Sequence, residues 1–389
     1  MENKERALAH VEKIEWIRPI EGADNIELIG VLGWVCIAKK GEFNVGDMAI
    51  YIEIDSKCPE TDERFAFLAN KKFKVKTMKL GKFKVISQGL ALPLSLFPEL
   101  HDRNIGDDVT EALKITYASE EDAARKTNKV DPNAKYKSMA KRRPKLFANP
   151  IVRRIMRYSI GRKIMFLLFG RKKDNPKKFP DWIVKTDETR IENAPFYLQS
   201  TEKWIKTEKC DGTSCTFAVN RLKKGKNKFD FIVCSRNVRQ ADREQACYHE
   251  SNIYWELADK YDIEKILTQF ATENDYNRVV LQGEGVGSVQ GNPYKFTENK
   301  LFVFNLIIDG TRLGTVEMAD FCKSHGLTSV PIIDTAYELP KTMEEMKLEA
   351  DGYSELNPKV KREGFVYRSI DGQQSFKNVS REYLLKHNG

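Results

Sequence analysis

The sequence predicts an α+β protein, with a small β-barrel at the N-terminus and a larger antiparallel-sheet-rich domain behind it. Three observations carry this. Between residues 5 and 110, short alternating apolar runs recur with glycine turns between them. From residue 179 onward, strand patterns alternate with a few helical ones, and tight turns between several strands argue for antiparallel pairing. The length, 389 residues, exceeds one typical domain and suits two or three.

The first segment, 1–111, contains Ile26–Ile29, Trp34–Ala38 and Met48–Ile54 as strands, with turns at Gly22-Ala23-Asp24, Gly41-Glu42 and Gly46-Asp47. A later pair, Lys82–Ile86 and Leu90–Leu94, flanks Ser87-Gln88-Gly89. Several short strands in about a hundred residues fit an OB-fold, a barrel that commonly binds oligonucleotides. A barrel with a purely structural role is the alternative. The segment 112–178 reads as a linker plus a basic stretch, punctuated by Asp131-Pro132-Asn133 and Asn149-Pro150. In 179–389 the strand candidates are Trp204–Glu208, Ser214–Val219, Phe229–Cys234, Val279–Gln282, Leu301–Ile308 and Gly364–Tyr367. The helix candidates there are Ala246–Tyr261 and Val316–His325.

Composition excludes several classes. Apolar residues make up 41% of the chain, with 21 Phe and 14 Tyr, which is enough to fill sizeable cores and argues against global disorder. The longest wholly apolar run, Ile164–Phe169, is too short to span a bilayer, and the acidic start has no signal-peptide core. The seven cysteines form no CxxC pair, which fits a reduced cytoplasmic protein rather than a disulfide or zinc scaffold. The five histidines show no metal-ligand spacing.

The net charge of +9 is unevenly spread. Residues 135–178 hold sixteen Lys and Arg against one acid, Asp174, so the remainder of the chain is mildly acidic. Such a stretch attracts a polyanion, and phosphate contacts give affinity without sequence choice. A solvated, partly helical linker is a second reading. A membrane-surface helix is a third, because residues 151–169 combine basic and apolar side chains. Nucleic acid is the expected partner, with no membrane involved and the chain acting as a monomer. Lys141-Arg142-Arg143-Pro144-Lys145 would serve as a nuclear signal in a eukaryote.

The chemistry is concentrated in short motifs. Lys209-Cys210-Asp211-Gly212 sits between two strand candidates, which puts Lys209 at a strand end beside a glycine turn. Ser235-Arg236-Asn237 follows a strand. Then come Gln282-Gly283-Glu284-Gly285, Phe302-Val303-Phe304-Asn305, Arg362-Glu363-Gly364-Phe365-Val366 and Ser375-Phe376-Lys377-Asn378-Val379. In this order the set resembles the covalent nucleotidyltransferases, which comprise ATP-dependent DNA and RNA ligases and mRNA-capping guanylyltransferases. Pro19–Asp24, Lys39–Phe43, Ser87–Leu90 and Phe179–Glu188 narrow the resemblance to the RNA ligase 5 family, in which an OB domain precedes a ligase adenylation domain. The resemblance covers both ends of the chain and covers 112–178 poorly.

The resemblance implies an ATP-dependent RNA ligase that uses Mg2+ or Mn2+. It joins an RNA 3′-hydroxyl to a 5′-phosphate, at nicks in a duplex, through lysyl-AMP and an adenylated polynucleotide. A capping-type guanylyltransferase and an inactive nucleic-acid-binding protein of the same fold are the rivals. Lys209 is the implied nucleophile, and it must shed its proton to attack. Asp211, Glu284 and Glu363 are the implied metal carboxylates, acting mostly through water. Arg236 matches the arginine that contacts ribose or the 5′-phosphate. Gly212 is part of the nucleotide-binding turn. Phe304 is implied to stack on adenine, and Phe302, on the same strand face, shares that claim. Lys377 is implied to hold the α-phosphate. Many relatives carry two lysines spaced K-x-K there, whereas this chain has Ser375 and Val379 around the single Lys377. Gly287–Asn292 fits no phosphate-loop spacing and reads as a plain loop.

Overall fold

The computed structural model describes residues 7–118, 144–169, 177–222, 228–240 and 252–387. Its principal strands are β1 (Ala9–Pro19), β2 (Ile26–Val31), β3 (Trp34–Lys39), β4 (Met48–Ile52), β5 (Leu90–Pro93), β6 (Trp204–Glu208), β7 (Thr213–Arg221), β8 (Phe229–Cys234), β9 (Val238–Arg239), β10 (Arg278–Val286), β11 (Lys300–Ile308), β12 (Ile332–Tyr337), β13 (Gly364–Ser369) and β14 (Ser375–Val379). The helices are α1 (Pro144–Ala148), α2 (Pro150–Arg157), α3 (Ser159–Phe169), α4 (Ile253–Lys260), α5 (Ile263–Glu273), α6 (Thr315–Ser324), α7 (Met343–Ala350) and α8 (Arg381–His387). Of the helix expected over Ala246–Tyr261, Ile253–Lys260 is helical and the first part lies outside the described residues.

The chain forms two compact units that interleave in sequence. One comprises residues 126–186 and 210–330, and is called here the sheet unit. The other comprises 2–125, 187–209 and 331–389, and is called the barrel unit. The segments 187–209 and 331–389 group with the N-terminal barrel segment by compactness.

In the barrel unit, five strands pair in the order β3-β2-β1-β4-β5. The long β1 serves two neighbours, pairing its first half with β4 and its second half with β2. A register shift between Ile14 and Trp16 marks the bend, as a bulge in a curled sheet does. The Gln88 amide donates to the Val35 carbonyl at 2.8 Å, which brings β3 back toward the far edge. This is an OB-fold. The strand expected at Lys82–Ile86 is displaced to Val85–Ser87, where it forms a hairpin with Met78–Leu80. Lys84, at φ 55°, takes the turn between them, so it cannot extend a strand.

The same unit contains a second sheet, ordered β14-β13-β6-β12, with Thr189–Arg190 added parallel to β14. Its core is aromatic: Trp204, Phe365, Tyr367 and Phe376 are buried together. Val379 and Leu384 pack into the barrel's core beside Ile29 and Trp34. Polar side chains cement this junction. The Trp34 indole N–H donates to Asn193 Oδ1 at 2.5 Å, Asn193 donates to Glu53, and Arg190 pairs with Asp55 at 3.1 Å.

The sheet unit is built on β9-β8-β7-β10-β11. Helices α4, α5 and α6 cover one face of it. Cys215, Phe217, Val219, Leu281, Val303 and Leu306 point into that core. By strand alternation, Ser214, Thr216, Gln282 and Glu284 occupy the opposite face.

Candidate active site

The site residues fall into two sets, one in each unit. Lys209 is the last residue of its barrel-unit segment and Cys210 the first of the next sheet-unit segment.

In the barrel unit, β6 ends at Glu208, and the Lys209 amide donates to the Gly364 carbonyl at 3.0 Å. The expected strand-end placement of Lys209 is therefore found. Its ammonium lies 2.7 Å from Glu363 Oε1, with both side chains largely buried. Gly364 makes this approach possible. It adopts φ +150°, and a Cβ there would come within 2.1 Å of the Asn378 carbonyl oxygen. Only glycine lets β13 and β14 close at this point and leave Glu363 beside Lys209. Glu208 is buried, and burial raises its carboxyl above the usual range against bonds from Ser354 and the Glu355 amide.

Lys377 stands in β14 opposite Val366. Its Nζ donates to Asp187 Oδ1 at 2.7 Å. The next residue, Glu188, accepts from Arg368 at 3.0 Å and from Ser375. The Asp187-Glu188 dipeptide thus grips β13 and β14 at once. No sequence signal assigns a role to this pair, although it lies within the Phe179–Glu188 stretch that carries the resemblance. An acid paired with a lysine nearly two hundred positions later leaves no periodic signal.

In the sheet unit, Gly212 packs against β10. A Cβ on it would meet the Gly285 carbonyl oxygen at 2.4 Å. The Asp211 amide donates to the buried Tyr294 hydroxyl at 2.6 Å. Tyr294 belongs to the loop that follows β10, which includes Gly287–Asn292 and is irregular as expected. Glu284 lies in register with Ser214 on one side and Phe302 on the other. Beside this row runs a buried neutral one. Asn305 Nδ2 donates to Gln282 Oε1 at 2.9 Å, and Gln282 Nε2 donates to the Val184 carbonyl at 2.7 Å. The Ser214 hydroxyl meets Thr186 at 2.8 Å. The segment Val184–Thr186 therefore crosses this face of the sheet.

The two phenylalanines are not equivalent. The register between β10 and β11 shifts between Gln282 and Gly283, so Phe304 is the extra residue of a bulge. A bulge breaks the two-residue alternation and re-aims a side chain. Phe302 is buried and stacks on Phe296, whereas Phe304 is half-buried with part of its ring open. Arg236 is exposed in the tight turn between β8 and β9, where the Ser235 amide donates to the Val238 carbonyl at 3.0 Å.

The three expected metal carboxylates are divided between the units. Asp211 and Glu284 belong to the sheet unit. Glu363 belongs to the barrel unit, where Lys209 engages it. Among the described residues no three His, Cys, Asp or Glu side chains group to hold an ion. The donor chemistry still fits Mg2+, which keeps most of its waters and takes one or two carboxylates together with substrate phosphates.

An OB-fold domain model matches residues 8–94, and an RNA ligase model matches residues 202–386. No curated protein matches the chain. Among solved structures, Naegleria gruberi RNA ligase with PPi is 31% identical, with a TM-score of 0.75, over 98% of this chain and 99% of that one. A glutamate-to-alanine form of that ligase with ATP and Mn is 30% identical, with a TM-score of 0.74, over 99% of this chain and all of that one. A lysine-to-methionine form with AMP and Mn is 30% identical, with a TM-score of 0.74, over 98% and 99%.

Proposed function

Because this chain belongs to the family of ATP-dependent RNA ligases, we propose that it joins an RNA 3′-hydroxyl to a 5′-phosphate at nicks in a duplex, with Lys209 as the nucleophile. The observation that carries the assignment of Lys209 is its place at the end of β6, with Nζ 2.7 Å from Glu363. ATP and a divalent metal are the cofactors.

Three displacements follow. The Nζ lone pair of Lys209 attacks the α-phosphorus of ATP; an N–P bond forms, the bond to pyrophosphate breaks, and the nitrogen loses a proton. An oxygen of the RNA 5′-phosphate then attacks the same phosphorus and returns the electron pair to Lys209. Finally the 3′-hydroxyl attacks the activated 5′-phosphate, and AMP leaves.

Glu363 holds the resting ammonium by charge, since a carboxylate at this distance favours the protonated lysine. That hold must be relaxed before attack, and positive charge brought near the ammonium by a metal or by Lys377 would lower its basicity. Lys377, held by Asp187, is assigned to the α-phosphate, where it offsets the growing negative charge. Phe304 is assigned to the adenine face and Arg236 to the ribose or the 5′-phosphate. A bound Mg2+ or Mn2+, held by Asp211, Glu284 or Glu363, would neutralise phosphate oxygens. The OB-fold is assigned to the RNA backbone.

The test is adduct formation with α-labelled ATP and Mg2+ or Mn2+, followed by denaturation. Label on the wild-type chain, absent in Lys209→Ala and discharged by a 5′-phosphorylated nicked duplex, is the expected result. Label from GTP alone, or none with either metal, overturns it. Faster discharge by free single strands than by the nick would refute the duplex part alone.

A further inference from the structure

Within the stretch that the ligase motifs leave unexplained, residues 144–169 fold into helices with an unusual surface. Asn149 caps α2 by accepting from the Ile151 amide at 2.9 Å, and Pro150 opens the helix. The chain turns at Tyr158 into α3. Gly161 seats against α2 so closely that a Cβ would meet the Ile155 carbonyl oxygen at 2.0 Å. The inner face of this hairpin is satisfied, with Met165 buried among Leu146, Phe147, Val152 and Met156.

The outer face is not. On α3, Ile160, Ile164, Leu167 and Leu168 recur at helical spacing, and they are 70%, 50%, 85% and 65% exposed. On α2, Ile151 and Ile155 continue the apolar surface, with Tyr158 at the turn. Arg153, Arg154, Arg157 and Lys163 are exposed around them, and residues 144–169 contain no acid. Six exposed apolar side chains on two helices, with Tyr158 at the turn between them, exceed the scattered singles of an ordinary surface.

The chemistry selects the occupant. RNA would satisfy the cations, but it would leave aliphatic Ile and Leu in water. A second copy of the chain would bring equal positive charge to the contact. A bilayer with anionic headgroups matches both features, because the cations meet headgroups while the aliphatic side chains enter the acyl boundary. No described helix is long and apolar enough to cross a membrane, and α3, at about 16 Å, is suited to lying in the plane.

We propose that the α1–α3 hairpin docks the enzyme on a membrane surface rich in anionic lipid, with the Ile160–Leu168 face inserted at the interface. This revises the expectation that no membrane is involved. It does not depend on the assignment of any catalytic residue.

The test is flotation of the full-length protein, free of RNA, with phosphatidylcholine vesicles that contain or lack phosphatidylserine. Two variants accompany it: Ile164→Ser/Leu167→Ser/Leu168→Ser and Arg153→Gln/Arg154→Gln. The expected result is partition onto phosphatidylserine vesicles only, reduced roughly tenfold or more by either variant, with joining of soluble RNA unchanged. Full binding by the Ser variant would overturn the proposal, since the contact would then be electrostatic alone. So would failure of the wild type to float, whether the Ser variant then alters RNA affinity, sedimentation as an oligomer, or neither.

Discussion

The two units differ in the polar groups they bury: both bury neutral ones, and among the described residues charged ones are buried in the barrel unit alone. Among the described residues, the buried polar side chains of the sheet unit are all neutral: Thr216, Gln282, Asn299, Asn305 and Thr315. Every buried His, Lys, Arg or carboxylate among the described residues belongs to the barrel unit, including His10, Glu53, Arg190, Glu192, Lys347 and Lys377. The division matches the proposed division of labour. A face that reads a base and a ribose needs fixed dipoles and an aromatic plane. A face that makes and breaks bonds to phosphate needs charge, and buried charge is tolerated only when it is paired. The barrel unit supplies those pairs: Lys209 with Glu363, Lys377 with Asp187, and Lys347 with Glu192.

If that contrast is real, the strongest effect comes from breaking a buried pair. Lys347 is fully buried, donates to Glu192 and to the Val379 carbonyl at 2.6 Å each, and burial pulls its pKa down. Lys347→Met leaves Glu192 buried without a partner and should cost about 3–5 kcal/mol in urea unfolding. Lys347→Met/Glu192→Leu should recover most of the loss, and failure to do so would show that packing, not charge, is at stake.

Next comes pH. Burial depresses the basicity of His10, but Glu12 at 2.8 Å and the charge of Glu53 outweigh it and raise the pKa to about 9. The unfolded chain releases this proton near pH 6.5, so the stabilisation is complete below that value and is lost as pH rises through 9. The expected loss is about 3 kcal/mol. Hydrogen exchange should show it in β1 and β4 and leave β7 and β10 unchanged; equal weakening in both units would break the comparison.

A smaller effect tests the neutral side. Gln282→Leu strands the Asn305 amide and the Val184 carbonyl, which should cost about 1–3 kcal/mol by thermal unfolding. The cost should be the same at pH 6 and pH 9. The mildest change is Phe304→Ala. Loss of one stacking plane should raise KM for ATP by roughly threefold to tenfold, with stability little altered. An unchanged KM would return the adenine platform to Phe302.

The strand-end place of Lys209 was legible because its signals are local: it stands between two apolar runs beside a glycine turn, and β6 and β7 bracket it. The choice between Phe302 and Phe304 was not legible, because alternation assumes an unbroken register and the bulge at Phe304 breaks it. Asp187 had no signal of its own. The basic stretch was visible as charge, but the exposure of its aliphatic face emerges only once Gly161 folds α3 against α2.

The sequence by itself determined the α+β class, the N-terminal barrel and the order of the ligase motifs. Each of these rests on neighbours a few residues apart, where spacing and turn chemistry decide the outcome. Tertiary structure alone decided which acid holds which lysine, where charge is buried, and how the chain divides into units. Lys377 and Asp187 lie 190 positions apart, and Lys347 and Glu192 lie 155 apart. Coulomb attraction acts through space, so such partners are set by the strands that carry them together and not by their order along the chain.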